Sequence, residues 1–373
     1  MSHPPLTVLG VESSCDETAV AVVRRDAGGV KVLSSVIHSQ IAQHAGYGGV
    51  VPEIAARSHV ETIDALAARA LAEAGNPELD AVAATAGPGL IGGVMVGLSF
   101  AKGFALARGL PLIGVNHLEG HALSARLAED VAFPFLLLLV SGGHCQLLSV
   151  RGVGDYERLG TTIDDAAGEA FDKTDKVLDL GYPGGPALEQ CAKDGDPARF
   201  RLPRARAGHK DCDFSFSGLK TAAAQIAHAE VRTRQDRADL CAGVQDAIAR
   251  QLVERSERAM TLFRQATDAA RPAFVVAGGV AANATVRRVL QAAAERHGFS
   301  FTAPPMAYCT DNAAMIALAG LEHFARACDK PEAVADLRAK AMGVAARPRW
   351  PLDEARALAQ PVHKTAGRKG AKA

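Results

Sequence analysis

The sequence predicts an α/β protein of two related lobes with a central cleft between them. Its 373 residues, 48% of them hydrophobic, are enough to form two domains with a core each. Each half contains a strand, a serine-containing turn and a returning strand, and later a strand that runs into a Gly-rich turn and a helix. Ligands of open α/β sheets bind where strand ends and helix starts converge, so we expect the functional site in the cleft.

The first lobe is predicted to span residues 1–130 with the element order βββαβαβα. Apolar alternation and short apolar runs predict its strands, and apolar residues at helical spacing predict its helices. The predicted strands are residues 6–14, 18–24, 30–40, 80–86 and 111–117, and the predicted helices are residues 59–75, 93–109 and 118–130.

The second lobe is predicted to span residues 131–345, as a duplicate of the first with a helical insertion and with chain returns between the lobes. It starts with the strand, tight turn and returning strand of "FPFLLLLVSGGHCQLLSV", followed by a third strand near Tyr156. Helices are predicted at 165–180, 218–229 and 236–267. A strand in "PAFVVAGGVAAN" leads to a helix that opens at Asn283, and the last helix follows "CTDN". Residues 346–373 are expected to form a flexible basic tail.

The amino-acid composition limits the binding partners and the cellular compartment that we expect for this protein. Lysine plus arginine and aspartate plus glutamate number 41 each, so no global field attracts nucleic acid. An RNA partner would meet a local patch such as "RFRLPRARAGHK", residues 199–210, predicted to be an exposed loop; a solvated loop without a partner is the alternative. Seven cysteines without a C-x-x-C pair, no secretory leader and no long apolar run predict a cytoplasmic protein that spans no membrane.

The stretch "HLEGH", residues 117–121, is similar to a zinc-protease signature but has its glutamate in a different place. His117 and His121 lie four residues apart, so one helix face can present both rings to a metal ion. In the protease pattern the glutamate follows the first histidine and acts as general base. Glu119 comes one position later and points away from that face, so the hydrolytic base is missing. Two helical histidines without a metal are the alternative.

Four short Gly or Ser turns could present backbone N–H groups to an anion: "ESSCDET", "GPGLIGG", "VSGGH" and "AGGVAAN". "GPGLIGG" contains G-x-G-x-x-G, but no acid occurs between Asp80 and Glu119 to bind a ribose, which argues against a dinucleotide-binding dehydrogenase. No P-loop motif is present. For any one turn, a tight bend that needs glycine is the alternative, and the occurrence of four in two similar lobes favours a nucleotide.

Taken together, these motifs resemble one family, the tRNA N6-adenosine threonylcarbamoyltransferases, TsaD. The resemblance runs from about residue 8 to residue 319. It is carried by "GVESSCDETAVAVV", "YGGVVPEIAARSH", "TAGPGLIGG", "NHLEGH", "LLVSGGH", "IDDAAGEAFDK", "YPGGP", "DFSFSGLKT", "AGGVAAN" and "CTDNAAMIA". It implies the fold of actin, Hsp70 and the sugar kinases. It also implies transfer of a threonylcarbamoyl group from threonylcarbamoyl-adenylate to N6 of the adenosine next to the anticodon in tRNAs that read ANN codons, with release of AMP.

The resemblance implies a metal site and a substrate site. The metal, one divalent iron or zinc ion per subunit, would be bound by His117, His121 and, from the opposite lobe, Asp311, which alone would pass for a helix N-cap. The implied substrate contacts are Leu139, Val140, Ser141, Gly142, Gly143, Asp172, Gly185 and Asn283. Archaeal and eukaryotic relatives have a tyrosine in place of Leu139, so the bacterial pattern applies. Glu189, where many relatives have aspartate, is left out of the site.

Two carboxylates in "SCDET" are predicted to be catalytic. Asp16 is expected to orient or deprotonate the N6 amine, and Glu17 is the second candidate. Neighbouring residues of an extended segment point opposite ways, so both reach one site only if the turn breaks the alternation. A β-turn in which Asp16 binds its own backbone is the alternative.

Two other functions remain as alternatives, a metallopeptidase and a non-catalytic nucleotide-binding scaffold. The misplaced Glu119 argues against the first, and the complete His-His-Asp set argues against the second. The resemblance also implies partners, namely tRNA, a metal-free paralogue, TsaB, and a small ATPase, TsaE.

Overall fold

The computed structural model describes residues 4–47, 49–181 and 184–359, which group into two units. The first contains Met1–Asp130 and Pro304–Glu354, and the second contains Val131–Ala303 with the described part of Ala355–Lys372. The predicted end of the first lobe at residue 130 coincides with this division. The second lobe was expected to run to residue 345, whereas the chain returns to the first unit at Pro304.

The strands follow the predicted apolar runs closely. They are β1 (Leu6–Glu12), β2 (Glu17–Asp26), β3 (Gly29–Ser39), β4 (Ala81–Gly87), β5 (Leu112–Asn116), β6 (Phe135–Val140), β7 (Cys145–Gly152), β8 (Asp155–Thr161), β9 (Ala273–Ala277) and β10 (Ser300–Thr302). Of these, β10 was not predicted, because three residues are too few to show a period of two.

The helices include all those predicted and several short ones that were not. They are α1 (Ile41–His44), α2 (Pro52–Glu73), α3 (Ile91–Arg108), α4 (His117–Leu123), α5 (Ala167–Leu178), α6 (Gly184–Ala192), α7 (Ser217–Ala229), α8 (Arg234–Ala266), α9 (Ala284–Arg296), α10 (Ala313–Cys328), α11 (Pro331–Lys340) and α12 (Glu354–Ala359).

Both units contain a five-stranded mixed sheet with the same strand order. The order is β3-β2-β1-β4-β5 in the first and β8-β7-β6-β9-β10 in the second. In the first sheet, β2 pairs antiparallel with both β1 and β3, and β4 and β5 run parallel to β1. In the second sheet, β7 pairs antiparallel with both β6 and β8, and β9 and β10 run parallel to β6. Strands β1, β4 and β6 are buried along their whole length, as expected for sheets covered by helices on both faces. The predicted α/β fold class with duplicated units is therefore confirmed.

Helix α10 explains why the chain returns to the first unit. Glycine at position 10, in the middle of β1, lets the helix backbone approach the sheet, because a Cβ there would lie 2.4 Å from the carbonyl oxygen of Ala313. On the other side, a Cβ at Gly320 would lie 2.3 Å from the Cβ of Ala83 in β4. This close packing buries nearly the whole of α10 and fixes the loop before it, which carries Asp311.

Helix α3 is long and apolar enough to cross a membrane by length and composition alone, which is weak evidence for a membrane span. Val94, Leu98, Ala101 and Ala105 form its buried face, which packs in the core of the first unit beside β4 and β5. One face of the helix therefore packs in the core of this unit, and the rest of its surface is partly or fully exposed.

The predicted tail begins later than expected. The backbone N–H of Arg347 donates to the carbonyl of Ala86 at 2.7 Å, and the side chain of Asn116 donates to the carbonyl of Trp350 at 2.9 Å. This segment therefore packs on the ends of β4 and β5 in the first unit. Residues 360–373 of the predicted tail lie outside the described residues.

Candidate functional site

Two histidines and an aspartate form a cluster at the end of β5. Helix α4 begins at His117, directly after the strand, and Asn116 caps it by accepting a hydrogen bond from the N–H of Leu118 at 2.9 Å. The rings of His117 and His121 leave the same face of the helix, with centroids 4.8 Å apart and planes at 89°. Oδ1 of Asp311 lies 3.0 Å from Nε2 of His121 and 3.4 Å from Nε2 of His117.

The position of Asp311 corrects one expectation. The resemblance places this aspartate on the opposite lobe, whereas residues 304–354 belong to the first unit, so all three side chains come from that unit. The alternative that Asp311 is a helix cap is also wrong. Asn312 caps α10 by accepting a hydrogen bond from the N–H of Met315 at 3.0 Å, which leaves the Asp311 carboxylate facing the histidines.

The donor set of this cluster fits a transition metal ion. Its ligand atoms, two imidazole nitrogens and one carboxylate oxygen, all lie within 4.8 Å of one another. Both histidines are buried, and Nδ1 of His121 has no hydrogen-bond partner among the described residues. Two imidazoles and one carboxylate are ligands that zinc and iron accept in proteins. The cluster therefore has the set of ligands that a metal site would have.

Glu12 lies directly behind the cluster. It is the last residue of β1, it is fully buried, and its Oε2 lies 3.0 Å from Nδ1 of His117. The hydroxyl of Thr85 donates to the same oxygen at 2.5 Å, and the N–H of Ser14 donates to the other oxygen at 2.5 Å. Burial raises the pKa of Glu12, but attraction to His117 and these hydrogen bonds outweigh it, and the net pKa is lowered. An ionised Glu12 fixes the His117 ring with Nε2 towards Asp311.

The carboxylates of "SCDET" both reach this region. Asp16 lies in the bend between β1 and β2, and Glu17 begins β2. Burial raises the pKa of Glu17 to about 9, with further contributions from the charges of Asp311 and Asp16 and from a side-chain hydrogen bond with Asp16. The two carboxylates are therefore close enough to share a hydrogen bond. A neutral Glu17 would not accept a proton near pH 7.

The bend that carries Asp16 is held by hydrogen bonds from three directions. Nε2 of His59 lies 3.2 Å from the carbonyl oxygen of Cys15, and Nδ1 of the same ring lies 2.7 Å from the hydroxyl of Thr18. The N–H of Gln40 donates to the carbonyl of Asp16 at 3.0 Å, and the N–H of Leu90 donates to that of Ser14 at 2.8 Å. A neutral His59 ring, whose pKa burial lowers, suits this pattern of one donor and one acceptor.

Glu119 is buried but takes no part in the cluster. Its Oε2 lies 2.8 Å from Nε2 of His323 on α10. The glutamate of "HLEGH" thus connects α4 to α10 through His323.

The "GPGLIGG" turn is filled by the protein itself. A Cβ at Gly87 would lie 1.9 Å from the carbonyl oxygen of Arg347, and one at Gly93 would lie 2.4 Å from that of Ser13. The hydroxyl of Ser13 also donates to the carbonyl of Gly93 at 2.9 Å. These glycines therefore allow close packing of the turn against the chain, which is the structural alternative considered for it.

In the second unit, the Ser-Gly-Gly turn between β6 and β7 is open. The N–H of Ser141 donates to the carbonyl of His144 at 2.8 Å, and a Cβ at Gly142 or Gly143 would meet nothing within 4 Å. The start of α5 lies against this turn, because a Cβ at Gly168 would lie 2.6 Å from the carbonyl oxygen of Ser141. The turn therefore has the room for an anion that the "GPGLIGG" turn lacks.

Two of the predicted substrate contacts are core residues. Leu139 and Val140 have fully buried side chains, and both lie in β6, the central strand that pairs with β7 and β9. Their side chains are therefore buried, so a ligand would contact this strand end through the backbone, and the assignment stays a prediction. The resemblance assigns the end of this strand to the substrate. Because the strand is buried on both faces of the sheet, neither of its two alternating sets of side chains is exposed there.

The structure brings Asp172 and Gly185 together. The backbone N–H of Gly185 donates to the Asp172 carboxylate, whose pKa is raised mainly by burial. A Cβ at the preceding residue, Gly184, would lie 2.9 Å from Asp172, so α5 and α6 meet closely here. Tyr182 and Pro183 of the "YPGGP" motif lie outside the described residues.

Asn283 has a structural role at the start of α9. Its Oδ1 accepts a hydrogen bond from the N–H of Val286 at 2.9 Å, and its Nδ2 donates to Oε1 of Gln245 at 2.8 Å. Both ends of the amide are thus engaged within the second unit. Glu189, which was left out of the predicted site, accepts a hydrogen bond from the N–H of Ala284 at 2.8 Å at the same helix start.

The family model for the tRNA N6-adenosine threonylcarbamoyltransferases, TsaD, matches residues 31–318. The chain belongs to the TsaD family. Proteins with that name from Caulobacter vibrioides and Maricaulis maris are 66% and 59% identical to it. Each alignment covers 99% of this chain, and 98% and 96% of the two relatives.

Proteins that are more distant in sequence share the fold of this TsaD family member. The solved structure of HypF from T. kodakarensis matches 88% of this chain and 49% of its own, with a TM-score of 0.55 and 15% identity. A full-length HypF structure, described as phosphate- and nucleotide-bound, matches with a TM-score of 0.53 and 13% identity. At this level of identity the comparison supports the fold alone.

Glu12 is the site residue that the sequence analysis missed, and it provides a test of the metal site in this TsaD family member. We expect Glu12→Gln to weaken metal binding by about 10- to 100-fold, because a neutral amide orients and polarises His117 less well than a carboxylate. Competition with a chelator of known affinity measures the change. Glu17→Gln is the matched control, because Glu17 is already neutral, and its metal affinity should stay within about 2-fold of the parent. Equal affinities in the parent and Glu12→Gln would show that Glu12 does not support the site.

Proposed function

We propose that this chain transfers a threonylcarbamoyl group from threonylcarbamoyl-adenylate to N6 of the adenosine next to the anticodon in tRNAs that read ANN codons. The observation that carries the proposal is the cluster of His117, His121 and Asp311, supported by the buried Glu12, in a chain of the TsaD family. An assembled set of metal-ligand side chains favours a catalytic role over a non-catalytic scaffold.

The cluster would hold one divalent ion, iron or zinc, through His117, His121 and Asp311. When bound, such an ion supplies Lewis-acid stabilisation of negative charge on an oxygen of the substrate and a fixed point for its orientation. Nitrogen and oxygen ligands suit both metals, so the donor set does not choose between them.

The chain's own residues would perform the other steps. The exposed amine of a base splayed out of the anticodon loop is a weak nucleophile, so transfer needs placement and a proton acceptor. In the reaction, a bond forms between N6 and the carbamoyl carbon, and the bond from that carbon to the phosphate oxygen breaks. AMP leaves with the electron pair, and Asp16 accepts the proton of N6. Glu17, as the neutral acid, orients Asp16 through their hydrogen bond.

The second unit would hold the adenylate. The open turn at Ser141, Gly142 and Gly143 can approach a phosphate with its backbone, since no side chain at either glycine blocks it. Asp172, held by the N–H of Gly185, can accept hydrogen bonds from ribose hydroxyls. Asn283 would act through the start of α9 that it caps.

We also propose that the chain works with the metal-free paralogue TsaB and the small ATPase TsaE. Three large apolar side chains that are exposed on the first unit support a protein partner. Val60 of α2 is 61% exposed, and Met95 and Leu106 of α3 are 54% and 69% exposed. Large apolar side chains exposed on two adjacent helices are typical of surfaces that a partner covers.

The metallopeptidase alternative makes a different prediction. Because Glu119 contacts His323 rather than the histidine cluster, we expect no cleavage of glycoproteins or peptides by the purified chain. The same preparation, supplied with the adenylate, TsaB and TsaE, should form threonylcarbamoyladenosine in an unmodified tRNA transcript, detected by mass spectrometry of the nucleosides. Metal-dependent cleavage that is abolished in His121→Ala, together with unmodified tRNA, would favour the peptidase.

A further inference from the structure

The segment between α6 and α7 contains an unusual density of positive charge. Residues 199–210, "RFRLPRARAGHK", hereafter the basic loop, contain five arginines and lysines and no acid. Phe200 is buried and anchors the start of the loop in the core of the second unit. By contrast, Arg199, Arg201, Arg204 and Lys210 are exposed.

The basic loop is held in one conformation by two side chains of α8. The side chain of Arg255 is fully buried, and its Nη1 donates to the carbonyls of His209 at 2.9 Å and Asp211 at 3.0 Å. Its Nη2 donates to the carbonyl of Arg206. Gln251 donates to the carbonyl of Ala205 at 3.1 Å. Burying a guanidinium costs free energy unless its donors are hydrogen-bonded, and here the carbonyls of this segment accept from both terminal nitrogens. These hydrogen bonds hold the loop in one conformation.

Two cations of the basic loop have no carboxylate partner among the described residues. Arg206 pairs with Asp211, and Arg204 is 4.0 Å from Glu254. Arg201 and Lys210, in contrast, make no ion pair with any residue that the structure describes. Exposed cations on a fixed loop retain their full charge and lose little conformational entropy when they bind an anion.

A groove of about 510 Å³ continues the basic surface between α8 and α9. Its charged lining residues are Arg204, Arg250, Arg288, Arg296, Asp246, Glu254 and Glu257. The acids pair with arginines, as in Arg250 with Asp246 and Arg296 with Glu257. Arg288 is exposed and makes no ion pair within the described part of the chain, so this groove is also net positive.

We propose that the basic loop and the adjoining groove bind the phosphate backbone of the tRNA. The inference rests on the proposed function, which requires an RNA substrate. The chain has no net charge, so steering and docking of a polyanion depend on a local cluster such as this one. Arginines predominate, and a planar guanidinium matches two phosphate oxygens. An acidic protein surface is the competing occupant, and the test separates the two.

The test uses Arg201→Gln/Lys210→Gln in the full chain, with tRNA binding measured by fluorescence anisotropy over a range of salt concentrations. We expect about 10-fold weaker binding at about 0.1 M salt and a salt dependence whose slope is smaller by about 1.5, because two phosphate contacts are lost. The matched control is Lys31→Gln/Lys340→Gln, which removes the same charge from exposed lysines of the first unit and should bind within about 2-fold of the parent. Arg201→Lys/Lys210→Arg, which keeps the charge, should retain parental binding.

The inference is overturned if Arg201→Gln/Lys210→Gln binds tRNA with the parental affinity and slope, or if the control variant loses as much. It is also overturned if this variant binds tRNA normally but no longer assembles with TsaB or TsaE, since the surface would then be a protein dock. Failure of the proposed function would give a different result from failure of this inference. The parent would then bind tRNA through this surface and yet leave the adenosine unmodified.

Discussion

Asp311→Ala is expected to lose the bound metal and at least about 100-fold of the transfer activity while the chain remains folded. Removal of one of three protein ligands leaves the two histidines to hold the ion alone, which weakens binding by much more than the loss of a supporting hydrogen bond. Asp311 is partly exposed, so its truncation leaves only a small cavity. His117→Ala should have the same effect on the metal. Metal content by elemental analysis after gel filtration measures the loss, and circular dichroism checks the fold.

The same motif provides the control for this prediction. Glu119→Gln lies on the same short helix but contacts His323 rather than the cluster. It should keep the metal content of the parent and most of the transfer activity. Full metal occupancy in Asp311→Ala and His117→Ala would show that the ion binds elsewhere.

Asp16→Asn is expected to slow transfer to tRNA by about 100- to 10,000-fold, the range typical of a positioned general base. Asparagine keeps the shape of the side chain and its hydrogen bonds but cannot accept the N6 proton. Metal content and adenylate binding should stay near the parental values, because the substitution removes a step of the reaction rather than a ligand.

Glu17→Gln is the matched comparison for Asp16→Asn. Since the pKa of Glu17 is raised to about 9, the side chain is already neutral at pH 7.5, and glutamine resembles that form. Its transfer rate should therefore stay within about 10-fold of the parent. The measurement is single-turnover transfer with saturating adenylate. If Asp16→Asn proceeds within a few-fold of the parent, Asp16 is a turn residue and the base lies elsewhere.

Much of the fold could be predicted because its main elements are long and regular. The fully buried strands β1, β4 and β6 are apolar runs bounded by polar or Gly residues, and the helices α3, α8 and α10 are long, with 18, 33 and 16 residues. The return of the chain to the first unit was not predictable in the same way. It depends on the fit of α10 against Gly10 of β1 and Ala83 of β4, contacts between segments that are distant in the sequence.

Only those features of the site that follow from local sequence patterns or from the family resemblance could be predicted. The spacing of His117 and His121 indicates one helix face, but Asp311 lies 190 residues from His121, and only the resemblance connects them. Glu12 was missed because it supports His117 through a tertiary contact across 105 residues. Leu139 and Val140 were assigned to the substrate from their motif; their side chains are buried in β6, so the assignment concerns the backbone of this strand end and stays a prediction.

The most direct test of the account follows the threonylcarbamoyl group itself. Threonylcarbamoyl-adenylate with an isotopic label in the carbamoyl carbon is incubated with the chain, TsaB, TsaE and a tRNA transcript, and both labelled tRNA and AMP are quantified. The account predicts one AMP released for each label transferred, with the label on N6 of the adenosine next to the anticodon and no transfer to a transcript that has guanosine there. Release of AMP without labelled tRNA, or label at any other nucleotide, would contradict it.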